Sequence, residues 1–152
     1  MRKFRNKNIK NLLVFLYKYL ISFNFILSIF FKRVKNEKKI HFSGSLKGNL
    51  GGTKVKIKRL KEIFTSSYLK FNIVYVLSNA PYLNNLSIKL LKYLKIPIVL
   101  NQNGLFYPAW YEGDWKSKNL EIANIYFKSD IVIFQSEFCK KVGCQKLNEF
   151  DF

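Results

Sequence analysis

Histidine occurs once in this chain, at His41, and cysteine twice, at Cys139 and Cys144. With a single imidazole and no second cysteine pair, the sequence assembles neither a Ser-His-Asp set nor a zinc site of the usual Cys/His spacing. The two thiols are read as reduced, in keeping with a cytosolic chain. His41 alternates with Ile40 and Phe42 in a strand-like stretch, so it is read as a structural histidine. Acidic residues are scarce too: 9 against 27 Lys and Arg, for a formal net charge of +18. Arginine is confined to Arg2, Arg5, Arg33 and Arg59, and the excess is lysine. High Lys, Asn, Ile, Phe and Tyr together are what an AT-rich genome produces, so the charge does not by itself call for nucleic acid, and none is expected as a partner.

What is present is unevenly placed. Residues 1–38 hold ten of the 27 basic residues against the single acid Glu37, leaving 17 against 8 for the rest. Between the basic ends, residues 12–31 are apolar except for Lys18, Ser22, Asn24 and Ser28, long enough to cross a bilayer at about 1.5 Å per residue. Basic residues on both flanks leave the positive-inside rule undecided. They suit a helix lying on an anionic membrane, with Lys18 able to snorkel. A single-pass span and a helix packed on the domain through one face stay open. A cleaved signal peptide is disfavoured, since the apolar run is long and no small-residue cleavage site follows. The expected organisation is a membrane-associating leader over 1–38 and one domain over 39–152, long enough for a real core.

The later sequence alternates strand-like and helix-like stretches. Residues 39–42, 71–77, 96–100 and 131–134 read as buried strands. Helices are expected from Thr53 to about Tyr68, over 83–94, and after an N-cap at Ser136. This pattern predicts an α/β fold, a Rossmann-like parallel sheet flanked by helices, with right-handed crossovers. Two loops carry chemistry. Residues 43–52, Ser-Gly-Ser-Leu-Lys-Gly-Asn-Leu-Gly-Gly, open a helix whose first amides suit an anion, although the spacing is neither that of a dinucleotide fingerprint nor that of a Walker loop. Residues 101–115, Asn-Gln-Asn-Gly-Leu-Phe-Tyr-Pro-Ala-Trp-Tyr-Glu-Gly-Asp-Trp, leave the carboxyl end of a strand, where open α/β sheets bind ligands. They bring aromatic rings able to stack on sugar or base faces; plugging the end of the sheet is the competing reading.

Gly51-Gly52-Thr53-Lys54-Val55, Asn101-Gln102-Asn103-Gly104 with Tyr107-Pro108, and Gln135-Ser136-Glu137-Phe138-Cys139-Lys140 together resemble the N-terminal, acceptor-side domain of family 4 glycosyltransferases with two Rossmann-like domains. The resemblance spans roughly residues 39–146. It implies transfer of a sugar from a nucleotide-sugar donor to a glycan or lipid acceptor, with no cofactor, on the cytoplasmic face of a membrane, in cell-envelope glycan synthesis. It further implies that Gly51, Gly52 and Thr53 face the donor phosphate. Asn101, Asn103, Gly104, Tyr107, Trp110, Trp115, Glu137 and Lys140 would then face the acceptor or sugar. Where many members carry a His before the loop glycine this chain has Asn103, which puts a His-dependent role there in doubt. The family's spaced Glu pair, which belongs to the donor domain, is absent. The expectation is therefore a hexosyltransferase-type domain that is inactive without a separately encoded C-terminal donor half. A non-catalytic, membrane-peripheral Rossmann-like binding module is the alternative.

Overall fold

A computed structural model describes residues 7–31, 38–43 and 52–150. The fold is α/β: a five-stranded, wholly parallel sheet flanked by helices and preceded by an apolar helix, consistent with a Rossmann-like architecture. In chain order the elements are α1 (Lys7–Leu27, prolonged by a 3-10 turn, Ser28–Phe30), β1 (Lys39–Ser43), α2 (Gly52–Ile63) and β2 (Thr65–Ser66). They continue with β3 (Ile73–Leu77), α3 (Asn85–Tyr93), β4 (Ile98–Gln102), α4 (Trp115–Lys128), β5 (Ile131–Phe134) and α5 (Glu137–Leu147). Strand order across the sheet is β2-β1-β3-β4-β5.

The register shows how the sheet divides its side chains. Ile40, Ile73, Tyr75, Leu77, Val99, Asn101, Ile131 and Ile133 share one face, under α2; His41, Val74, Val76, Ile98, Leu100, Gln102 and Val132 share the other. On the second face α1, α3 and α4 close a core around Phe25, Phe71, Val76, Leu91, Leu100 and Ile125. On the first, Ile57 of α2 packs among Ile40, Phe42, Tyr75 and Leu77. That helix covers β1 and β3 but leaves Ile131 and Ile133 of β5 exposed. Leu100 is fully buried while its neighbour Val99 is only partly so.

Several boundaries differ from those expected. The helix after the glycine-rich turn stops at Ile63, not near Tyr68, and Thr65–Ser66 runs parallel to β1 instead. This two-residue strand forms the edge of the sheet beside β1. Helix α3 starts at Asn85 rather than 83, because the Asn84 side chain caps it by accepting from the Ser87 amide at 2.8 Å. Its far end closes at Lys95, whose φ of 53° is the left-handed turn a glycine usually takes there. The Ser136 cap is as expected, its hydroxyl accepting from the Cys139 amide at 3.1 Å.

Helix α1 carries a stretch, Leu12–Phe30, long and apolar enough to cross a membrane by length and composition. One face of it packs on the domain. Phe25 is 0 % exposed, its ring 5.2 Å from that of Phe71 and 5.0 Å from His41. The Ser22 hydroxyl sits 2.8 Å from that of Ser87 and donates to Asn84 at 2.9 Å.

Candidate functional site

Because every strand runs the same way, the carboxyl ends of β1, β3, β4 and β5 share one edge, and each leads to the amino end of a helix. The chain first steps outward from β1 to β2, then crosses back to β3, so the direction reverses between β1 and β3. In open α/β sheets the ligand crevice forms outside the carboxyl ends at such a switch point. Most of the glycine-rich turn at this point, Gly51 included, lies outside the described residues.

The residues singled out in the sequence fall into three groups. Gly52 opens α2 with open space around its Cα; Thr53 follows in the same first turn. One turn on, the Lys56 ammonium donates to Asn101 Oδ1 at 3.4 Å, and the Asn101 amide nitrogen donates to the Tyr75 hydroxyl. Asn101 is thus buried on the α2 side of the sheet, held between helix and neighbouring strand. Burial pushes the Tyr75 phenol up, with the Asn101 hydrogen bond pulling the other way.

The second group is a polar row along the edge itself. The Asn103 amide donates to Ser78 Oγ at 2.9 Å, and Asn103 Oδ1 accepts from Gln135 Nε2 at 2.7 Å. Gln102 Nε2 donates to the Gly104 carbonyl at 2.8 Å. Gly104 has φ of 156°, which side-chain-bearing residues rarely adopt, so glycine is required there by backbone conformation. Ser43 Oγ, Gln102 Oε1 and Asn103 Nδ2 are buried at this edge without a protein partner. Ser43, Ser78, Asn103 and Gln135, one from the end of each long strand, therefore make an uncharged hydrogen-bonding rim.

The third group is the aromatic loop. Asn119, buried in α4, accepts from the Phe106 amide at 2.9 Å and donates to the Phe106 carbonyl at 2.8 Å, tying the loop to the helix. Outward from that clamp Trp110 stacks against Phe106 and Tyr107 at centroid distances of 5.0 and 6.2 Å, and both Tyr107 and Trp110 are exposed. Trp115 begins α4 behind the Asp114 cap, with Lys116 over its ring. Glu137 and Lys140, 3.9 Å apart, sit exposed at the start of α5. Neither joins the aromatic loop.

A cavity of about 570 Å³ opens beside this edge. One wall is α1, through Val14, Phe15 and Lys18; the next is the loop after β3, from Asn79 to Tyr82. The remaining walls are Phe106, Tyr111, Gly113 and Asp114 from the aromatic loop and Ser117, Lys118 and Glu121 from α4. Lys18 and Lys118 reach the two carboxylate oxygens of Glu121 at 3.5 and 3.1 Å. A Cβ on Gly113 would stand 2.5 Å from Tyr111 Cε1, so glycine lets that ring fold back over the backbone. The cavity thus offers aromatic faces, carboxylates and Lys118 on one side and, on the other, the hydrocarbon of Val14 and Phe15 beside the Lys18 ammonium. None of the eleven residues singled out earlier lines it, though four neighbours in the same aromatic loop, Phe106, Tyr111, Gly113 and Asp114, do. The α1 wall had one signal in the sequence, a lysine set inside an apolar run, but its partner Glu121 is 103 residues away.

His41 stands apart from the edge. It is wedged among Phe25, Phe71 and Tyr68. Burial lowers its pKa to about 4, against a hydrogen bond to the Ser67 backbone and with a further push from Lys61. It is therefore neutral at physiological pH and holds packing, not catalysis. Among the described residues no group of three or more His, Cys, Asp or Glu is placed to hold a metal ion. Set against known protein families, curated proteins and solved structures, the chain matches none of them.

Proposed function

We propose that this chain is the acceptor-side domain of a sugar-transferring enzyme of the family 4 glycosyltransferase kind. It would bind an acceptor that joins a sugar to an apolar tail and act with a donor-binding domain that holds the nucleotide sugar. The observation that carries this reading is the cavity at the carboxyl edge, where Phe106 and Tyr111 stand beside Asp114 and Glu121 and face the apolar flank of α1. Sugar recognition combines ring stacking with hydrogen bonds to hydroxyls, and a tail needs a wall with no polar demand. The strand-order reversal between β1 and β3 supports a diphosphate role for Gly52 and the α2 amides, since such folds accommodate a diphosphate at the helix amino end beside a switch point.

In this role Tyr111 and Phe106 stack on the acceptor sugar, while Asp114 and Glu121 accept from its hydroxyls. Lys18 and Lys118 hold Glu121 oriented, one on each carboxylate oxygen. Gly52, Thr53 and Lys56 face the donor phosphates across the cleft. Transfer needs the donor domain; without it the chain binds and releases. A binding-only module is favoured by one feature, the edge row of Ser43, Ser78, Asn103 and Gln135, which contains no titratable group.

Trp110 and Trp115, the chain's two tryptophans, report on the site. Titration of their fluorescence with an alkyl glycoside is expected to saturate, while the free sugar and the free alcohol bind far more weakly. Tyr111→Ala should weaken the glycoside by roughly tenfold, the worth of one stacking contact. If no glycoside saturates, or Tyr111→Ala binds like the parent, the acceptor reading is wrong. Transfer observed only after adding a donor domain separates the enzyme from the binding module.

A further inference from the structure

Helix α1 lacks the polar outer face of a surface helix in a soluble domain. A surface helix turns its apolar stripe to the core and its polar side to water. Here Lys18, Ser22 and Ser28 point inward, beside the buried Ile21 and Phe25. Lys18 reaches Glu121 at 3.5 Å, Ser22 bonds Asn84 and Ser87, and Ser28 donates to the Phe25 carbonyl at 2.6 Å. The outward side displays Leu12, Leu16, Leu20, Phe23, Ile26 and Phe30, all exposed. At 100° per residue these fall within one continuous arc opposite Phe25. From residue 12 to residue 30 the sole charged residue is Lys18, which faces in. An apolar strip of this size on a single helix marks a contact with another apolar phase.

We infer that α1 lies in the plane of an anionic bilayer, its outward arc sunk among the acyl chains and its inward face remaining on the domain, rather than crossing the membrane. Two observations select this arrangement. First, the inward stripe is committed to the domain through the second half of the helix, from Lys18 on Glu121 to Phe25 between Phe71 and His41. A crossing helix would carry the charged groups of α4 to mid-bilayer, where each is costly. Second, the occupant is chosen by charge: the first 36 residues hold nine Lys and Arg and no acid, which fits an anionic lipid surface. Because Val14, Phe15 and Lys18 also wall the cavity, that cavity opens at the lipid boundary. On the acceptor reading above, a lipid-linked acceptor then approaches sideways from the membrane, its tail never leaving the acyl phase.

Depth measurement on the full chain decides this. In a background with Trp110→Phe and Trp115→Phe, tryptophan is placed in turn at Leu12→Trp, Phe23→Trp and Phe30→Trp. Quenching is read with phosphatidylglycerol vesicles brominated at shallow or deep positions. An in-plane helix gives all three the same shallow depth. A deep Phe23→Trp with shallow ends means a span and overturns the inference. No quenching at any site, with a dimer in sedimentation, means that a second copy covers the arc and overturns it equally. Leu16→Glu with Leu20→Glu should cut vesicle binding by roughly tenfold or more while leaving the melting point in place, since both side chains point outward. Should that pair also destabilise the fold, Leu16→Gln with Leu20→Gln must still weaken binding; unchanged binding in a folded variant refutes the inference. The depth pattern needs no sugar, so it can fail while the glycoside titration succeeds, and the reverse.

Discussion

Replacing Phe25 with alanine tests whether α1 is part of the domain. The ring is fully buried, 5.2 Å from Phe71 and 5.0 Å from His41, in the cluster that also holds Ile21, Val74 and Leu91. Truncating a buried phenylalanine removes its transfer free energy and leaves a cavity, together costing about 3–5 kcal/mol. Domains are stable by only about 5–15 kcal/mol, and one of this size loses about 2–4 °C per kcal/mol. The expected drop is therefore roughly 10 °C in Tm, read by circular dichroism in mild detergent. A double-mutant cycle with Phe71→Ala should return a coupling of about 0.5–1.5 kcal/mol, the worth of an aromatic pair beyond its area. If Phe25→Ala costs less than about 1 kcal/mol and shows no coupling to Phe71, the helix is not seated on the sheet. The in-plane arrangement would then lose its first support.

Acidification should destabilise the fold through His41. Its folded pKa of about 4 lies below the ordinary 6.5, so this contribution is complete above pH 6.5 and is lost as pH falls toward 4. Its full size is roughly 3 kcal/mol, and His41→Phe should flatten that part of the stability–pH curve measured by urea unfolding. Asn119→Ala strands the Phe106 amide and carbonyl, costing about 1–3 kcal/mol locally; hydrogen exchange at the Phe106 amide should accelerate while that of β4 stays slow. Trp110→Ala, at an exposed ring, is expected to leave Tm nearly unchanged, whereas Leu100→Asp, burying an unpaired charge in the core, should abolish cooperative melting. Equal loss in these two variants would make the aromatic loop a structural plug.

Much of the fold was legible because apolar runs and their punctuation are local. Residues 39–42, 71–77, 96–100 and 131–134 correspond to β1, β3, β4 and β5 within about two residues, and alternation with helices implied the parallel sheet. The serine cap of α5 was legible for the same reason, since a cap and its amide lie three residues apart. The two-residue β2 was not, because Thr65 and Ser66 form a strand only through pairing with Lys39 and Ile40. Asn101 and Asn103, two residues apart in one motif, would share a face if the strand continued, but β4 ends at Gln102, so Asn101 stays in the ladder under α2 while Asn103 leaves it and sits at the rim.

The sequence alone therefore determined the α/β class, the four longer strands, the aromatic loop past β4 and the apolar character of α1, all properties of residues near one another in the chain. Only the tertiary structure decided which side of α1 meets the domain and that Lys18 turns inward to Glu121. Composition cannot distinguish a helix that spans lipid from one that shares itself between lipid and a protein core. That choice depends on partners far along the chain, from Phe71 on Phe25 to Glu121 on Lys18, and so does the cavity that Glu121 helps enclose.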